Sequence, residues 1–169
     1  LRAVLTQVWT FSEFVAQLCT RHPDVLNNLI ASGDLYSDYP EKRYHDHLQL
    51  ALVGINNDTD LLQALRLFRR REILRIAIRD LAGWVDLQET MASLSHLAAA
   101  CVADTLGLLH HWCCKEYGWP CGAVSGEPQQ LVVLGMGKLG AHELNFSSDI
   151  DLIFAFPEQG ETKGKQQSI

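Results

Sequence analysis

The chain lacks any surplus of cations: 14 Lys+Arg stand against 20 Asp+Glu, a net charge of −6. General binding of nucleic acid by phosphate neutralisation needs the opposite balance, so no nucleic-acid partner is expected and phosphate chemistry must be local. No apolar run approaches the ~20 residues of a membrane helix, and Leu1 to Glu13 has neither the basic start nor the apolar core of a signal peptide. No membrane partner is expected. Cysteine is scarce and odd in number. Cys19, Cys101, Cys113, Cys114 and Cys121 lie mostly inside apolar stretches, where a free thiol acts as a small hydrophobe, and this fits a reducing cytoplasm. Charged residues are only 20% and hydrophobic ones 47%, a composition that excludes disorder because it buries enough apolar area to offset chain entropy. The first residue is Leu rather than Met, and Glu161 to Ile169 is polar with no closing signal, so a segment of a longer polypeptide is expected.

Two regimes meet near residue 120. From Trp9 to Tyr117 the pattern is helical. Thr10 with Glu13 reads as a capping box, Pro23 as a first-turn proline, and Gly33 as the stop of the helix carrying Val25, Leu26, Leu29 and Ile30. A loop covers 34–40, and a further helix carries Leu48 to Leu52. Asp60 is placed to cap a long amphipathic helix over 61–81, whose Arg66, Arg69, Arg70, Arg71, Arg75 and Arg79 read as a solvated face paired with Glu72 and Asp80. A phosphate-facing or partner-binding edge is the other reading of those arginines. Asp86 with Glu89 signals a cap for the longest core helix, where Met91, Leu94, Leu97, Cys101, Val102, Leu108 and Trp112 recur at helical spacing. Trp84, Trp112 and Trp119 read as core aromatics. Residues 1–118 are therefore expected to form a helical bundle.

Pro120, Gly122, Gly126 and Pro128 mark 119–130 as a linker. Beyond it, Leu131 to Leu134 reads as a buried strand ending on Gly135, a glycine-punctuated turn leads to a brief helix near 141–144, and Ile150 to Phe156 forms a second strand. This order is the start of an α/β core over 131–169, with an incomplete sheet whose remainder lies further along the polypeptide.

Asp149 and Asp151 frame Ile150 at the start of that second strand. Side chains at i and i+2 share a strand face, so both carboxylates can reach one divalent ion or a pair of them. The alternative is an acidic strand end facing water. Gly135 and Gly137 provide a turn whose backbone N–H groups can receive phosphate. Lys138 adds a point charge or is a solvated turn lysine, and the Ser147 or Ser148 hydroxyl can bond phosphate or fix Asp149. Gly135-Met136-Gly137-Lys138-Leu139-Gly140 also fits a dinucleotide-binding turn, with Glu158 at the ribose distance. The short spacing to the second strand and the acids placed before it favour the metal reading. His110, His111, Cys113, Cys114 and Cys121 do not match a usual zinc spacing.

The stretch Gly135-Met-Gly-Lys-Leu-Gly-Ala-His-Glu-Leu-Asn-Phe-Ser-Ser-Asp-Ile-Asp-Leu-Ile-Phe, ending at Phe154, resembles the motif of the glutamine synthetase adenylyltransferase/adenylyl-removing enzymes. These belong to the DNA polymerase β-like nucleotidyltransferases. Leu65 to Arg71 and Cys113 to Gly118 extend the likeness to the family's N-terminal, adenylyl-removing half. The resemblance implies a nucleotidyltransferase core in which Asp149 and Asp151 are the first two metal-binding and catalytic carboxylates, holding Mg²⁺ or Mn²⁺. It implies phosphorolysis of adenylyl-tyrosine by inorganic phosphate to give ADP, glutamine synthetase and a PII signal protein as partners, and a bacterial cytoplasm as location. Met136 stands where the superfamily has a serine, which leaves phosphate contact there to backbone donors. The third carboxylate of the superfamily belongs to a later strand, and neither Glu158 nor Glu161 stands in its place. The 169-residue segment alone is accordingly expected to be inactive. A noncatalytic helical interaction module is the alternative from a different class.

Overall fold

A computed structural model describes residues 2–163, so the polar end beyond Lys163 lies outside the described residues. The helical part runs α1 (Arg2–Phe11), α2 (Glu13–Arg21), α3 (Pro23–Ala31), a 3-10 turn (Asp34–Tyr36), α4 (Glu41–Ala51), α5 (Asp58–Leu81) and α6 (Leu87–Tyr117). It is followed by β1 (Trp119–Gly122), β2 (Val132–Gly135), the single turn α7 (Gly137–Gly140), β3 (Leu152–Ala155) and β4 (Gly160–Lys163). The mainly helical region leading into a small strand-bearing part matches the expected order.

Local chemistry explains the helix ends. Pro23 sits in the first turn of α3, and Gly33 follows it in the left-handed conformation at φ 75°. Asp86 accepts from the Glu89 amide at 2.8 Å and starts α6. Two caps fall elsewhere than expected. Ser12, not Thr10, accepts from Val15 N at 3.3 Å, because Thr10 is already inside α1 and donates to the Thr6 carbonyl at 2.9 Å. Asn57, not Asp60, caps α5, with its Oδ1 receiving the Asp60 amide at 2.9 Å.

Arg66 and Arg69 of α5 are exposed and Arg71 pairs with Glu72, as expected, whereas the burial of Arg75 and Arg79 departs from the expected solvated face. Only the first half of α5 is one-sided. In the second half Glu72, Leu74, Arg75, Ile76, Ala77, Ile78 and Arg79 are all buried. The cause is that α5 serves two cores. Phe68 and Ile76 join Tyr44, Leu48, Leu94 and Leu97 in one, while Leu74, Ala77 and Ile78 join Val8, Val15, Val25 and Leu29 in the other. Arg71, Arg75 and Arg79 lie one turn apart and clasp the irregular segment between α3 and α4. Arg71 pairs with Asp34 and Glu72, and Arg43 reaches Asp34 from α4 at 3.2 Å. Arg75 Nε donates to the Asp34 carbonyl at 2.9 Å, a further amine donates to the Ser37 carbonyl, and the guanidinium stands 3.5 Å over the Tyr39 ring. Arg79 donates to the Leu35 carbonyl at 3.0 Å, to Asp38 at 2.7 Å and to Glu89 at 2.9 Å. Asp80 instead accepts from Thr90 at 2.8 Å. A planar, forked guanidinium can satisfy several such acceptors at once, and carbonyls left unpaired in a buried loop each cost about 1–3 kcal/mol.

The α6 helix packs Leu94, Leu97 and Ala100 into the first core, and His45 and Gln49 of α4 both reach its Asp104, at 3.0 and 3.1 Å. By length and composition α6, alone among the described residues, would suffice to span a bilayer, contrary to the expectation that no apolar run is long enough. Its buried leucines give it the role of a core helix. Trp84 and Trp112 pack against the cores as expected, whereas Trp119 is exposed and stacks edge-on to His110.

The expected linker is partly a strand. Trp119–Gly122 pairs antiparallel with Gly160–Lys163, and β2 pairs antiparallel with β3, Gly135 facing Leu152. The β2–β3 strands are shorter than expected, and they are not buried: Val132, Leu134, Ile153 and Phe154 are exposed, because a two-stranded ribbon has no second layer to cover both faces.

Removing the Arg75 guanidinium should leave buried carbonyls orphaned. Arg75→Ala is expected to cost about 3 kcal/mol or more in urea unfolding, against about 0.5 kcal/mol or less for exposed Arg66→Ala. Burial alone would raise the Asp34 carboxyl, but hydrogen bonds from Ser32, Tyr39 and Arg71, with the charge of Arg71, outweigh it and lower it to about 2. The stability Asp34 contributes is thus complete above its ordinary value of 3.8 and disappears as pH falls through about 2. Unfolding measured across that window should lose this acid dependence in Asp34→Asn.

Candidate active site

The glycine turn is built by close approach. A Cβ on Gly135 would stand 2.9 Å from Leu139 Cγ, and one on Gly140 would stand 2.5 Å from the Gly135 carbonyl oxygen. Gly137 takes φ 53°, a left-handed conformation that disfavours other residues. These glycines fold a single helical turn back onto the end of β2, and α7 therefore lies over 137–140 rather than near 141–144. His142, also left-handed at φ 58°, ends the turn, where the Glu143 amide donates to the Lys138 carbonyl at 2.7 Å. Burial lowers the His96 imidazole on α6 below its ordinary value, with Glu41 opposing and His142, ring to ring at 5.8 Å, reinforcing.

Leu144 then drops into the helical core, and its amide donates to Ser95 Oγ of α6 at 3.3 Å, while Ser95 donates to the Met91 carbonyl at 2.8 Å. The next residues close on Asn145. Its Oδ1 accepts from Ser147 N at 3.1 Å, Ser147 Oγ at 3.0 Å and Ser148 Oγ at 2.9 Å, and its amide donates to Ser148 Oγ at 3.1 Å. The Ser147 and Ser148 hydroxyls thus fasten the turn instead of holding Asp149, because Asn145 offers them a nearer acceptor.

Asp149, Ile150 and Asp151 precede β3, which begins at Leu152, so strand alternation does not set their relation as the sequence reading assumed. Asp151 is placed by the ladder: Met136 N donates to its carbonyl at 2.9 Å, and its Oδ2 lies 4.0 Å from where a Cβ on Gly137 would be. Gly135, Gly137 and Asp151 are therefore neighbours. Asp149 instead lines a groove of about 550 Å³ between the ribbon and the helices, shared with Asn145, Phe146, Ile150 and Arg69. Lys138 is exposed on α7 and makes no ion pair among the described residues.

Among the described residues no group of three or more His, Cys, Asp and Glu converges on a possible metal position. Cys114 contacts His110 at 3.4 Å, and Cys121 contacts the Trp119 carbonyl. The donor chemistry of the aspartates suits Mg²⁺ or Mn²⁺, since hard cations of this kind keep several waters and take one or two protein carboxylates plus substrate phosphate. Glu158 is occupied elsewhere: it accepts from Val124 N at 3.3 Å and Ser125 N at 3.2 Å, and from the Ser125 hydroxyl. With β2 and β3 antiparallel, the parallel crossover and the ribose acid of the dinucleotide reading are both missing among the described residues.

Residues 3–169 match the model of the glutamate-ammonia ligase adenylyltransferase family. The chain belongs to that family. It is also similar to the bifunctional glutamine synthetase adenylyltransferase/adenylyl-removing enzyme of Nitrosococcus oceani, at 52% identity over 98% of this chain. The match spans 17% of that relative's length. The family motif read from the sequence coincides with the glycine turn and the two aspartates. Reading the sequence missed Ser95, Leu144 and Asn145, which hold that motif against the helices. Asn145, two residues before Ser147, carried a usable signal as the opener of a side-chain-closed turn, whereas Ser95 carried none.

A methyl group at position 140 collides with backbone. Gly140→Ala is therefore expected to cost about 1–3 kcal/mol in thermal or urea unfolding, while Lys138→Ala, fully outside these contacts, should stay within about 0.5 kcal/mol.

Proposed function

We propose that this chain forms part of the adenylyl-removing half of a bifunctional glutamine synthetase-regulating enzyme and carries the first two carboxylates of its reaction centre. The observation that supports this most is the seating of Asp151 against the Gly135–Gly137 turn two residues after Asp149. The reaction class is nucleotidyl transfer. An oxygen of inorganic phosphate attacks the phosphorus of adenylyl-tyrosine, the bond to the tyrosine oxygen breaks, that oxygen takes a proton, and ADP leaves.

Asp149 and Asp151 would hold Mg²⁺ or Mn²⁺, which supplies charge neutralisation at the reacting phosphoryl oxygens. The exposed backbone around Gly137 orients phosphate oxygens beside Asp151, and Lys138 adds a positive charge on the solvent side of the turn. Met136 offers phosphate no donor, because its N–H is already donated to the Asp151 carbonyl, and the contact expected there falls to other groups of the turn. No covalent nucleophile is needed, so the protein's share of catalysis is positioning and electrostatic stabilisation. Glutamine synthetase is the proposed protein substrate, a PII-type signal protein the proposed regulator, and the bacterial cytoplasm the proposed location.

In the full-length enzyme, Asp149→Asn or Asp151→Asn should lower ADP release from adenylylated glutamine synthetase and phosphate by at least 10²-fold, with folding unchanged by circular dichroism. Unchanged turnover would contradict the assignment. Loss of AMP transfer from ATP, with ADP release intact, would place this segment in the adding half instead.

A further inference from the structure

We propose that Asn145 is a positioning residue for the metal centre, locking the turn that delivers Asp149 next to Leu144, whose amide bonds Ser95 of α6. This rests on the metal reading of Asp149 and Asp151. The segment from Glu143 to Asp151 has no regular secondary structure, yet both carboxylates must be held closely enough to share a small, rigid coordination sphere. Its anchor at one end is the β2–β3 ladder, through Met136 N and the Asp151 carbonyl at 2.9 Å. Its other anchor is Leu144, 4% exposed within the helical core and bonded to the fully buried Ser95 hydroxyl at 3.3 Å.

Between these anchors one side-chain oxygen organises the path. Asn145 Oδ1 receives the Ser147 amide and hydroxyl and the Ser148 hydroxyl at 2.9–3.1 Å, and the Ser148 amide donates to the Asn145 carbonyl at 3.1 Å. Ser148 is the residue before Asp149, so the turn fixes the direction in which the chain leaves toward the carboxylate. Asn145 and Asp149 also border the same groove. The bonds are solvent-exposed apart from the anchors, so their value for overall stability is small, and their effect falls on the local path of the chain. Asp at 145 would preserve the acceptor for all of these donors; Ala would remove it.

The test is Mn²⁺ binding to the full-length enzyme, followed by electron paramagnetic resonance, together with hydrogen exchange at Leu144 and kinetics of ADP release. Asn145→Ala should weaken Mn²⁺ binding about tenfold and lower kcat with little change in KM for adenylylated glutamine synthetase, the range seen when outer partners of metal ligands are removed. Asn145→Asp should restore Mn²⁺ affinity to within about threefold of the parent. Ser95→Ala should speed exchange of the Leu144 amide and weaken Mn²⁺ in the same direction. Mn²⁺ affinity unchanged in Asn145→Ala, whether or not its Tm falls, would overturn the inference while loss of Mn²⁺ in Asp149→Asn left the metal reading intact. A number of bound Mn²⁺ ions and an affinity both unchanged by Asp149→Asn would overturn both.

Discussion

The grip of Arg71, Arg75 and Arg79 on the segment between α3 and α4 is the constraint around which the helical region is arranged. That segment holds one 3-10 turn and buries Asp34, Leu35 and Tyr39, and the carbonyls of Asp34, Leu35 and Ser37 take guanidinium donors from α5. Guanidinium groups from successive turns of one helix supply the missing donors, while Asp34, Glu72, Asp38 and Glu89 balance their charge. The second half of α5 is enclosed accordingly, with α1–α3 forming one apolar cluster against it and α4 and α6 sharing the other.

The same enclosure bears on the chemistry. Leu94, Leu97 and Ala100 place α6 beside α5, and Ser95 on the next position of α6 receives the Leu144 amide. A rigid helical pair therefore sets the floor on which the glycine turn and the aspartates stand. The groove between α5, α6 and the ribbon, with Arg69 and Asp149 on its border, is where the helical part and the strand-bearing part meet.

Much of this was legible from residue order. Periodicity located the helices, Pro23, Gly33 and Asp86 marked their ends, and the glycine-aspartate motif pointed to the region where Asp151 meets the Gly137 turn. Arg66 and Arg69 keep the solvated face that the spacing implies, but spacing along one helix does not reveal what surrounds it, and the second core contributed by α1–α3 encloses the turns that carry Arg75 and Arg79. The stretch after Tyr117 looked like a linker because the partner of β1 lies beyond Gln159, and a strand containing Pro120 and Gly122 has no local signal of its own. Asn145 carries no reactive group of its own, and its role appears only in the bonds its Oδ1 receives from Ser147 and Ser148.

The central claim is that the two aspartates share a divalent ion next to the glycine turn. Anomalous diffraction from crystals of the full-length enzyme grown with Mn²⁺ tests it most directly. The account predicts a peak about 2.1 Å from a carboxylate oxygen of both Asp149 and Asp151, beside Gly137. No peak within reach of both carboxylates, or carboxylates that point apart at saturating Mn²⁺, would contradict it.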